Sequence, residues 1–174
     1  MNIKMKLVGS GKLPKKAHDT DGGFDVYSRI EEPIVLRPGE TVAIPAGFIL
    51  ELESGYKALM TPRGGLAIKN GITVLNSPGL VDTNYRDEVM VILHNSNPQV
   101  LYKEFLAYDN DGVCHVCEKL YYNKEKEFTI EPNMRIAQMQ IEVDHSYGVE
   151  FEVVASVNKD TDRGIGKFSS TGLK

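Results

Sequence analysis

Short apolar segments separated by turns that contain glycine or proline follow one another along this chain, and no long helical stripe interrupts them. The 16 glycines and 8 prolines are spread through the sequence rather than gathered in a linker. Apolar and polar residues alternate in places, as at Ile3, Met5 and Leu7, which is the period of a strand. Many short strands with such turns are typical of a β-sandwich, barrel or jelly roll, so the sequence predicts an all-β chain.

The segments with strand character are bounded by turn signals, and one further segment has the character of a helical turn. The predicted strands outside region 96–126 are residues 3–7, 24–27, 34–36, 41–44, 48–52, 56–60, 89–93, 127–130, 136–143 and 151–154. The helical turn is predicted at residues 65–70.

Length and composition narrow the class of protein. A chain of 174 residues is expected to form one domain, residues 1–174, with 41% hydrophobic and 25% charged residues. The net charge of −4 argues against nucleic-acid binding, which needs clustered basic residues. No apolar run approaches the roughly 20 residues that span a bilayer, and the N-terminus lacks a signal sequence. We therefore expect no membrane association and a cytoplasmic location.

Region 96–126 differs from the rest and is predicted to be an inserted arm. Segments 100–108 and 113–122 flank Asp109-Asn110-Asp111-Gly112, a pattern that predicts a β-hairpin. Cys114 and Cys117 lie too close together to staple a fold. They could supply half of a zinc site, but a closed site needs four ligands. The alternative, which we prefer, is two cysteines on the same face of a hairpin.

Two glycine-containing segments in the first half of the chain combine backbone freedom with specific polar groups. Segment 18–28 places Asp25 after two glycines. Segment 61–72 places Gly64 and Gly65 after Arg63, which leaves backbone N–H groups and a guanidinium available to phosphate oxygens. Taken singly, each segment is more commonly explained as a tight turn.

Three later segments have the same mixed character. Segment 76–95 presents Asp82 in a turn between strands. Segment 134–142 carries Gln138 in a strand-like apolar run. The C-terminal tail, residues 160–174, cannot pack a core and is expected to be flexible. Its Arg163 and hydroxyl groups nevertheless suit a polyphosphate, and Phe168 could stack on a base.

In their order and spacing, the five segments resemble the five motifs of the homotrimeric dUTPase (dUTP diphosphatase) family. The most specific matches are Arg63-Gly64-Gly65-Leu66-Ala67, Asp82-x-x-Tyr85-Arg86 and Arg135-Ile136-Ala137-Gln138. The resemblance covers nearly the whole chain outside region 96–126. It implies a jelly-roll or β-clip subunit, a homotrimer with active sites at subunit interfaces, and a tail that closes as a lid.

The resemblance also implies a role for individual residues in converting dUTP to dUMP and diphosphate, which keeps uracil out of DNA and supplies dUMP. Asp82 would be the general base, and Mg²⁺ would be held by the phosphates and by waters, one of them oriented by Asp25. The residues expected to bind uracil and deoxyribose are Asn76, Gly79, Leu80, Val81, Tyr85, Met90 and Phe168. The residues expected to bind phosphates are Arg63, Gly64, Gly65, Gln138, Arg163, Ser169, Ser170 and Thr171.

Some positions depart from the family pattern, and two alternative functions stay open. Gly64 stands where serine is usual, and Asp87, Lys167 and Ser169 stand where glycine is usual; Asp87 is expected to face solvent. One alternative is a dCTP deaminase-type enzyme of the same fold. The other is a dUTPase that also binds a regulatory protein partner through region 96–126.

Overall fold

The computed structural model describes residues 3–108, 110, 114–158 and 160, and most of the ordered elements among them are strands. Within these described ranges one short helix, α1, spans Gly64–Asn70, and one 3-10 turn spans Lys124–Lys126. The strands in chain order are β1 (Lys4–Leu7), β2 (Phe24–Tyr27), β3 (Ile34–Leu36), β4 (Thr41–Pro45), β5 (Phe48–Glu51), β6 (Tyr56–Pro62), β7 (Ile72–Val74), β8 (Gly79–Val81), β9 (Met90–Asn95), β10 (Val100–Tyr108), β11 (Cys114–Tyr122), β12 (Phe128–Ile130) and β13 (Arg135–Val143). The all-β prediction is confirmed.

Two larger sheets carry the core. One has the strand order β2-β13-β6-β8 and the other has the order β4-β9-β7, with every neighbouring pair antiparallel. Two-stranded sheets join β1 to β5 and β12 to β3. Side chains such as Val26, Ile44, Phe48 and Leu93 are fully buried between these layers. Burying an apolar side chain of this size stabilises a fold by about 1.5–3 kcal/mol, so this packing fixes the sheets that bear the site.

Most strand predictions are confirmed within one or two residues, but two strands were missed and one prediction is wrong. Strands β7 and β8 were not predicted, because they depend on pairing with β9 and β6 rather than on a local pattern. Residues 151–154 form no strand, so that prediction is wrong. Phe151 and Val153 are 96% and 99% exposed, since their alternating pattern finds no neighbouring strand in the described part of this chain. No helix described here has the length and apolar character needed to cross a membrane.

The predicted hairpin is present, with β10 paired to β11 from Val100–Tyr122 to Tyr108–Cys114. Residues 109 and 111–113, which include most of the predicted turn, lie outside the described residues. Cys114 is exposed, and the side chain of Cys117 lies outside the part of the chain that the structure describes. The expectation that the two cysteines share a face stays a prediction.

Buried asparagines anchor the base of the hairpin. The Nδ2 of fully buried Asn95 donates to the carbonyls of Leu36 and Lys126, at 3.0 and 2.8 Å. Its Oδ1 accepts hydrogen bonds from Asn97, while Asn123 Nδ2 donates to the Pro98 carbonyl. Satisfying these groups allows polar side chains to be buried where the hairpin leaves the core.

Candidate active site

One face of the β2-β13-β6 part of the sheet is polar. Val26 points into the core, so Asp25 and Tyr27 on either side of it occupy the opposite face of β2. Gln138 lies directly opposite Asp25, and Thr61 lies directly opposite Gln138. Residues paired in this way project from the same face of a sheet. The strand register thus brings residues from three distant segments onto one surface.

Asp25 is the central acid of this polar face and is only 5% exposed. Its Oδ1 accepts a hydrogen bond from Arg63 Nε at 3.2 Å, and its Oδ2 accepts one from an Arg135 Nη at 3.1 Å. Arg63 also donates to the Arg135 backbone carbonyl at 3.2 Å. We call Asp25, Arg63 and Arg135 the arginine cluster. Arg135 was not among the predicted site residues, although its place as a polar exception in an apolar strand was a signal.

Helix α1 presents the two predicted phosphate-binding glycines at its start. Arg63 is its N-cap residue, and the N–H groups of Leu66 and Ala67 donate to the Arg63 carbonyl. The N–H groups of Gly64 and Gly65 precede these bonds and have no partner inside the helix. A Cβ atom at either glycine would meet nothing within 4 Å. The chain itself therefore does not require glycine at position 64, and a serine would fit there.

The predicted general base and four of the predicted nucleoside residues line a cleft of about 170 Å³, which we call the base cleft. Its lining is Leu80, Val81, Asp82, Tyr85, Val89 and Met90. Five of these residues were predicted for the site, and Val89 was not. Asp82 is exposed and follows the last residue of β8, so its carboxylate is open to solvent and to a ligand.

Asn76 and Gly79 are in close contact at the start of β8. A Cβ atom at Gly79 would lie 3.1 Å from the Asn76 Nδ2, which is tighter than ordinary van der Waals contact. Gly79 therefore leaves room for the Asn76 amide over the strand. Both residues were predicted to bind the nucleoside, and they lie at the opposite end of β8 from Asp82.

The turn after β8 is held by several hydrogen bonds. The Tyr85 N–H donates to the Asp82 carbonyl at 3.1 Å, and the Tyr85 hydroxyl donates to the Glu88 carbonyl at 3.0 Å. The Glu88 carboxylate accepts from Arg29 at 2.7 and 2.6 Å and from the Gly47 N–H at 2.9 Å. This carboxylate raises the pKa of the Arg29 guanidinium, mainly through the hydrogen bonds. Neither Arg29 nor Glu88 was singled out from the sequence, because neither carries a local signal.

Asp87, the position that departs from the family pattern in this turn, is exposed. Its Oδ1 accepts a hydrogen bond from the Glu88 N–H at 2.7 Å. The expectation that Asp87 faces solvent is confirmed, and the residue supports the turn locally.

The base cleft and the arginine cluster lie at opposite ends of β6 within one chain. Strand β8 runs antiparallel to β6 with Val81 opposite Ala58, and the Thr83 hydroxyl donates to the Tyr56 carbonyl at 2.6 Å. Arg63 follows the other end of this seven-residue strand. At about 3.3 Å per residue, Asp82 and Arg63 are roughly 20 Å apart along the sheet. One chain therefore does not bring its predicted base and its predicted phosphate ligands to one point.

The remaining predicted residues belong to the C-terminal tail. Arg163, Phe168, Ser169, Ser170 and Thr171 lie outside the described residues.

Known proteins match this chain in both sequence and structure. A family model described as dUTPase matches residues 10–105. The deoxyuridine 5'-triphosphate nucleotidohydrolase of Chlamydia pneumoniae is 37% identical over 174 residues, covering 99% of each chain. That of Orientia tsutsugamushi (strain Boryong) is 34% identical over 181 residues, covering 100% of each. A mutant dUTPase of Staphylococcus bacteriophage 80alpha, solved with dUpNHpp, has a TM-score of 0.76 at 26% identity and covers 99% of both chains.

A further solved structure shows the same fold at lower identity. The dUTPase from phage phi11 of S. aureus, in which a species-specific insert is visible, has a TM-score of 0.69 at 21% identity and covers 90% of this chain. The family model matches more than half of the chain, and the relatives match nearly all of it. The chain belongs to the dUTPase family, whose enzymes are deoxyuridine 5'-triphosphate nucleotidohydrolases.

Proposed function

We propose that this chain hydrolyses dUTP to dUMP and diphosphate, with Asp82 as the general base that activates the water attacking the α-phosphorus. The observation that carries the proposal is the base cleft, which places the Asp82 carboxylate beside Leu80, Val81, Tyr85 and Met90. A carboxylate at the edge of a cleft can take a proton from water within hydrogen-bond reach. The Asp82 proton acceptor thus stands next to the residues proposed to hold the nucleoside.

Selectivity for dUTP is proposed to come from the close fit of the β8 backbone. The Asn76 side chain and the backbone around Leu80 and Val81 would pair with the uracil edge, leaving no room for a 5-methyl group. The Tyr85 ring would pack under deoxyribose and clash with a 2′-hydroxyl. Its hydroxyl donates a hydrogen bond to the Glu88 carbonyl, which restricts the movement of the ring. Gly79 contributes by letting Asn76 approach the strand. Steric exclusion of this kind rejects close analogues without requiring new contacts.

The triphosphate is proposed to lie against the polar face of the sheet. Arg63, the N–H groups of Gly64 and Gly65, and Gln138 would contact its oxygens. Charged donors and open N–H groups at the start of a helix both favour phosphate. Arg135, held against Asp25, extends the same cationic surface.

Asp25 fits an Mg²⁺ ion that is bound mainly through phosphate oxygens and water. Both Asp25 oxygens already accept hydrogen bonds from arginines. The described residues contain no group of three or more potential metal-ligating side chains. Mg²⁺ often binds with few protein ligands and several waters, so Asp25 would act through a water. When bound, the ion would neutralise charge on the triphosphate. A mutant dUTPase from phage phi11 of S. aureus coordinates a structural Mg(II) ion.

A homotrimer with interfacial sites is proposed because one chain offers only part of a site. The base cleft of about 170 Å³ is smaller than the roughly 300–1,000 Å³ typical of ligand pockets. The roughly 20 Å between Asp82 and Arg63 exceeds the reach of a general base. Asp82 of one subunit would therefore act on phosphates bound by Arg63 of another. The C-terminal tail would close over this site, with Phe168 on uracil and Arg163, Ser169, Ser170 and Thr171 near the phosphates.

Diphosphate release from dUTP, dTTP, dCTP and UTP in separate reactions tests the proposed function. We expect release from dUTP at least about 100-fold faster than from the others, because polar and steric exclusion in a close-fitting site gives discrimination of this order. Ammonia released from dCTP would instead support the deaminase-type alternative. Equal rates with all four nucleotides would contradict the proposed role of Asn76 and Tyr85.

The arrangement of the chain as one domain with an inserted hairpin and a C-terminal lid is part of the same proposal. Binding of a regulatory protein by region 96–126 stays a prediction. Deleting residues 100–124 tests this prediction. If the hairpin does not bind a protein partner, the deletion should change neither turnover nor the binding of any such partner.

A further inference from the structure

Two lysines that the proposed site does not use line a second cavity, of about 430 Å³. Its described lining is Lys12, Leu13, Lys15 and Tyr27. Both lysines are exposed, and Lys12 Nζ lies 5.6 Å from the centroid of the Tyr27 ring. A cavity lined by two ammonium groups has the composition of an anion site, and the Tyr27 ring contributes a cation–π contact to Lys12.

Lys15 is fixed to the polar face of the sheet by its backbone. Its N–H donates to the Asp25 carbonyl at 3.3 Å, and the Asp25 N–H donates to the Lys15 carbonyl at 2.7 Å. Two residues directly opposite each other in an antiparallel pair project from the same face. Lys15 therefore shares its face with Asp25, and Tyr27, two residues further along β2, occupies that face as well.

The lysines add positive charge to this face without a shared partner. The Asp25 carboxylate, which lies on the same face, is already paired with both Arg63 and Arg135. Among the described residues, neither lysine forms a salt bridge with a carboxylate. Like charges gathered on one surface repel each other, and a ligand that carries several negative charges removes that repulsion.

Lys16 has the same charge but lies on the other side of the strand. Its Nζ is 5.3 Å from the centroid of the Phe24 ring. Phe24 lines a different, apolar cavity together with Leu50 and Met139. Phe24 and Asp25 are neighbours in β2 and project from opposite faces. Lys15 and Lys16 therefore lie on opposite faces of the sheet, and Lys16 provides a matched control.

We propose that Lys15, assisted by Lys12, binds the terminal phosphates of the nucleoside triphosphate next to the arginine cluster, and binds diphosphate there after cleavage. This inference rests on the proposed function, because it takes the polar face of the sheet to be the triphosphate site. Lys15 is a substrate-binding residue in this proposal. It contacts the part of the substrate that leaves and has no role at the uracil end.

Calorimetric titration tests this subsite with two ligands, the non-hydrolysable α,β-imido analogue of dUTP and dUMP, in the presence of Mg²⁺. We expect Lys15→Ala to weaken binding of the analogue about five- to tenfold, the effect of losing one charge-assisted contact. Binding of dUMP should not change, since dUMP lacks the terminal phosphates. Lys16→Ala should match the parent for both ligands, and Lys15→Arg should keep most of the affinity.

The outcomes separate the subsite from the function on which it rests. If the parent binds the analogue and Lys15→Ala binds it equally well, the subsite is wrong while the proposed function stands. If Lys15→Ala and Lys16→Ala weaken binding of the analogue equally, the effect is explained by the change in net charge alone. That result would also overturn the subsite. A parent that binds neither ligand would overturn both proposals. Thermal melting of each variant checks folding, which substitutions at exposed lysines should leave unchanged.

Discussion

Glu88 accepts two hydrogen bonds from the guanidinium of Arg29, at 2.7 and 2.6 Å, so these two residues form a bidentate ion pair. The side chains are only 16% and 29% exposed, and the same carboxylate also accepts the Gly47 N–H. The Glu88 backbone carbonyl accepts the Tyr85 hydroxyl. The Arg29–Glu88 ion pair therefore helps to fix Tyr85, the residue proposed to contact the sugar.

We expect Glu88→Gln to destabilise the fold by about 1–3 kcal/mol, because Arg29 loses a charged partner in a partly buried place. It should also raise the KM for dUTP more than it lowers kcat, since Tyr85 would be held less firmly. Denaturant unfolding and steady-state kinetics measure the two effects. Glu51→Gln is the matched control, as Glu51 pairs with Lys4 in an exposed salt bridge. A Glu88→Gln variant no less stable than Glu51→Gln would contradict the assigned role of the ion pair.

Asp82→Asn is expected to bind dUTP with nearly parental affinity and to lose about 10²- to 10⁴-fold in kcat, because an amide does not accept the proton from water. Single-turnover kinetics and titration with the α,β-imido analogue separate chemistry from binding. Asp87→Asn makes the same change five residues away in the same turn and should keep parental turnover, since its amide oxygen can still accept the Glu88 N–H. Parental turnover in Asp82→Asn would show that another group is the base.

Local sequence patterns predicted the strands well where turn residues mark both of their ends. Residues 24–27 and 34–36 were predicted at the observed bounds, because glycine, proline and acidic residues mark their ends. The three-residue strands β7 and β8 depend on pairing with β9 and β6, and no local pattern encodes that. Residues 151–154 have the alternating pattern of a strand but pair with no strand among the described residues. The pattern alone therefore gave a wrong prediction.

The site was predictable in its parts but not in its arrangement. Asp25, Arg63 and Gln138 were recognised singly, whereas the pairing of Asp25 with Arg135 joins residues 110 positions apart. Such a contact follows from strand register, which the sequence does not display. The same holds for the separation of Asp82 from Arg63, which depends on β8 running antiparallel to β6. The positions of Lys15 and Glu88 likewise depend on contacts with Asp25 and Arg29, which are distant in the sequence for Glu88 and not encoded locally for Lys15.

Removing residues 162–174 is expected to lower turnover strongly while changing the melting temperature little. This segment contains three glycines, two serines and one phenylalanine, so it offers little apolar surface to a core. Its proposed task is to close over bound nucleotide and exclude water. Circular dichroism melting and diphosphate release test the two statements. A truncated chain with full activity would mean that the site closes without the tail, and a truncated chain that fails to fold would contradict its peripheral role.

Mixing two inactive variants tests whether the active site is shared between subunits. Asp82→Asn removes the proposed base at one end of β6, and Arg63→Ala removes a proposed phosphate ligand at the other. If each site takes Asp82 from one subunit and Arg63 from another, random reassembly of a 1:1 mixture should restore about a quarter of the sites in a closed symmetric oligomer. The variants are unfolded together and refolded, and diphosphate release is compared with that of each variant refolded alone. If one chain supplied both residues, every site in the mixture would lack one of them. Activity no higher than that of the separate variants, in oligomers shown to be mixed by mass spectrometry, would place both residues in one subunit and overturn the interfacial site.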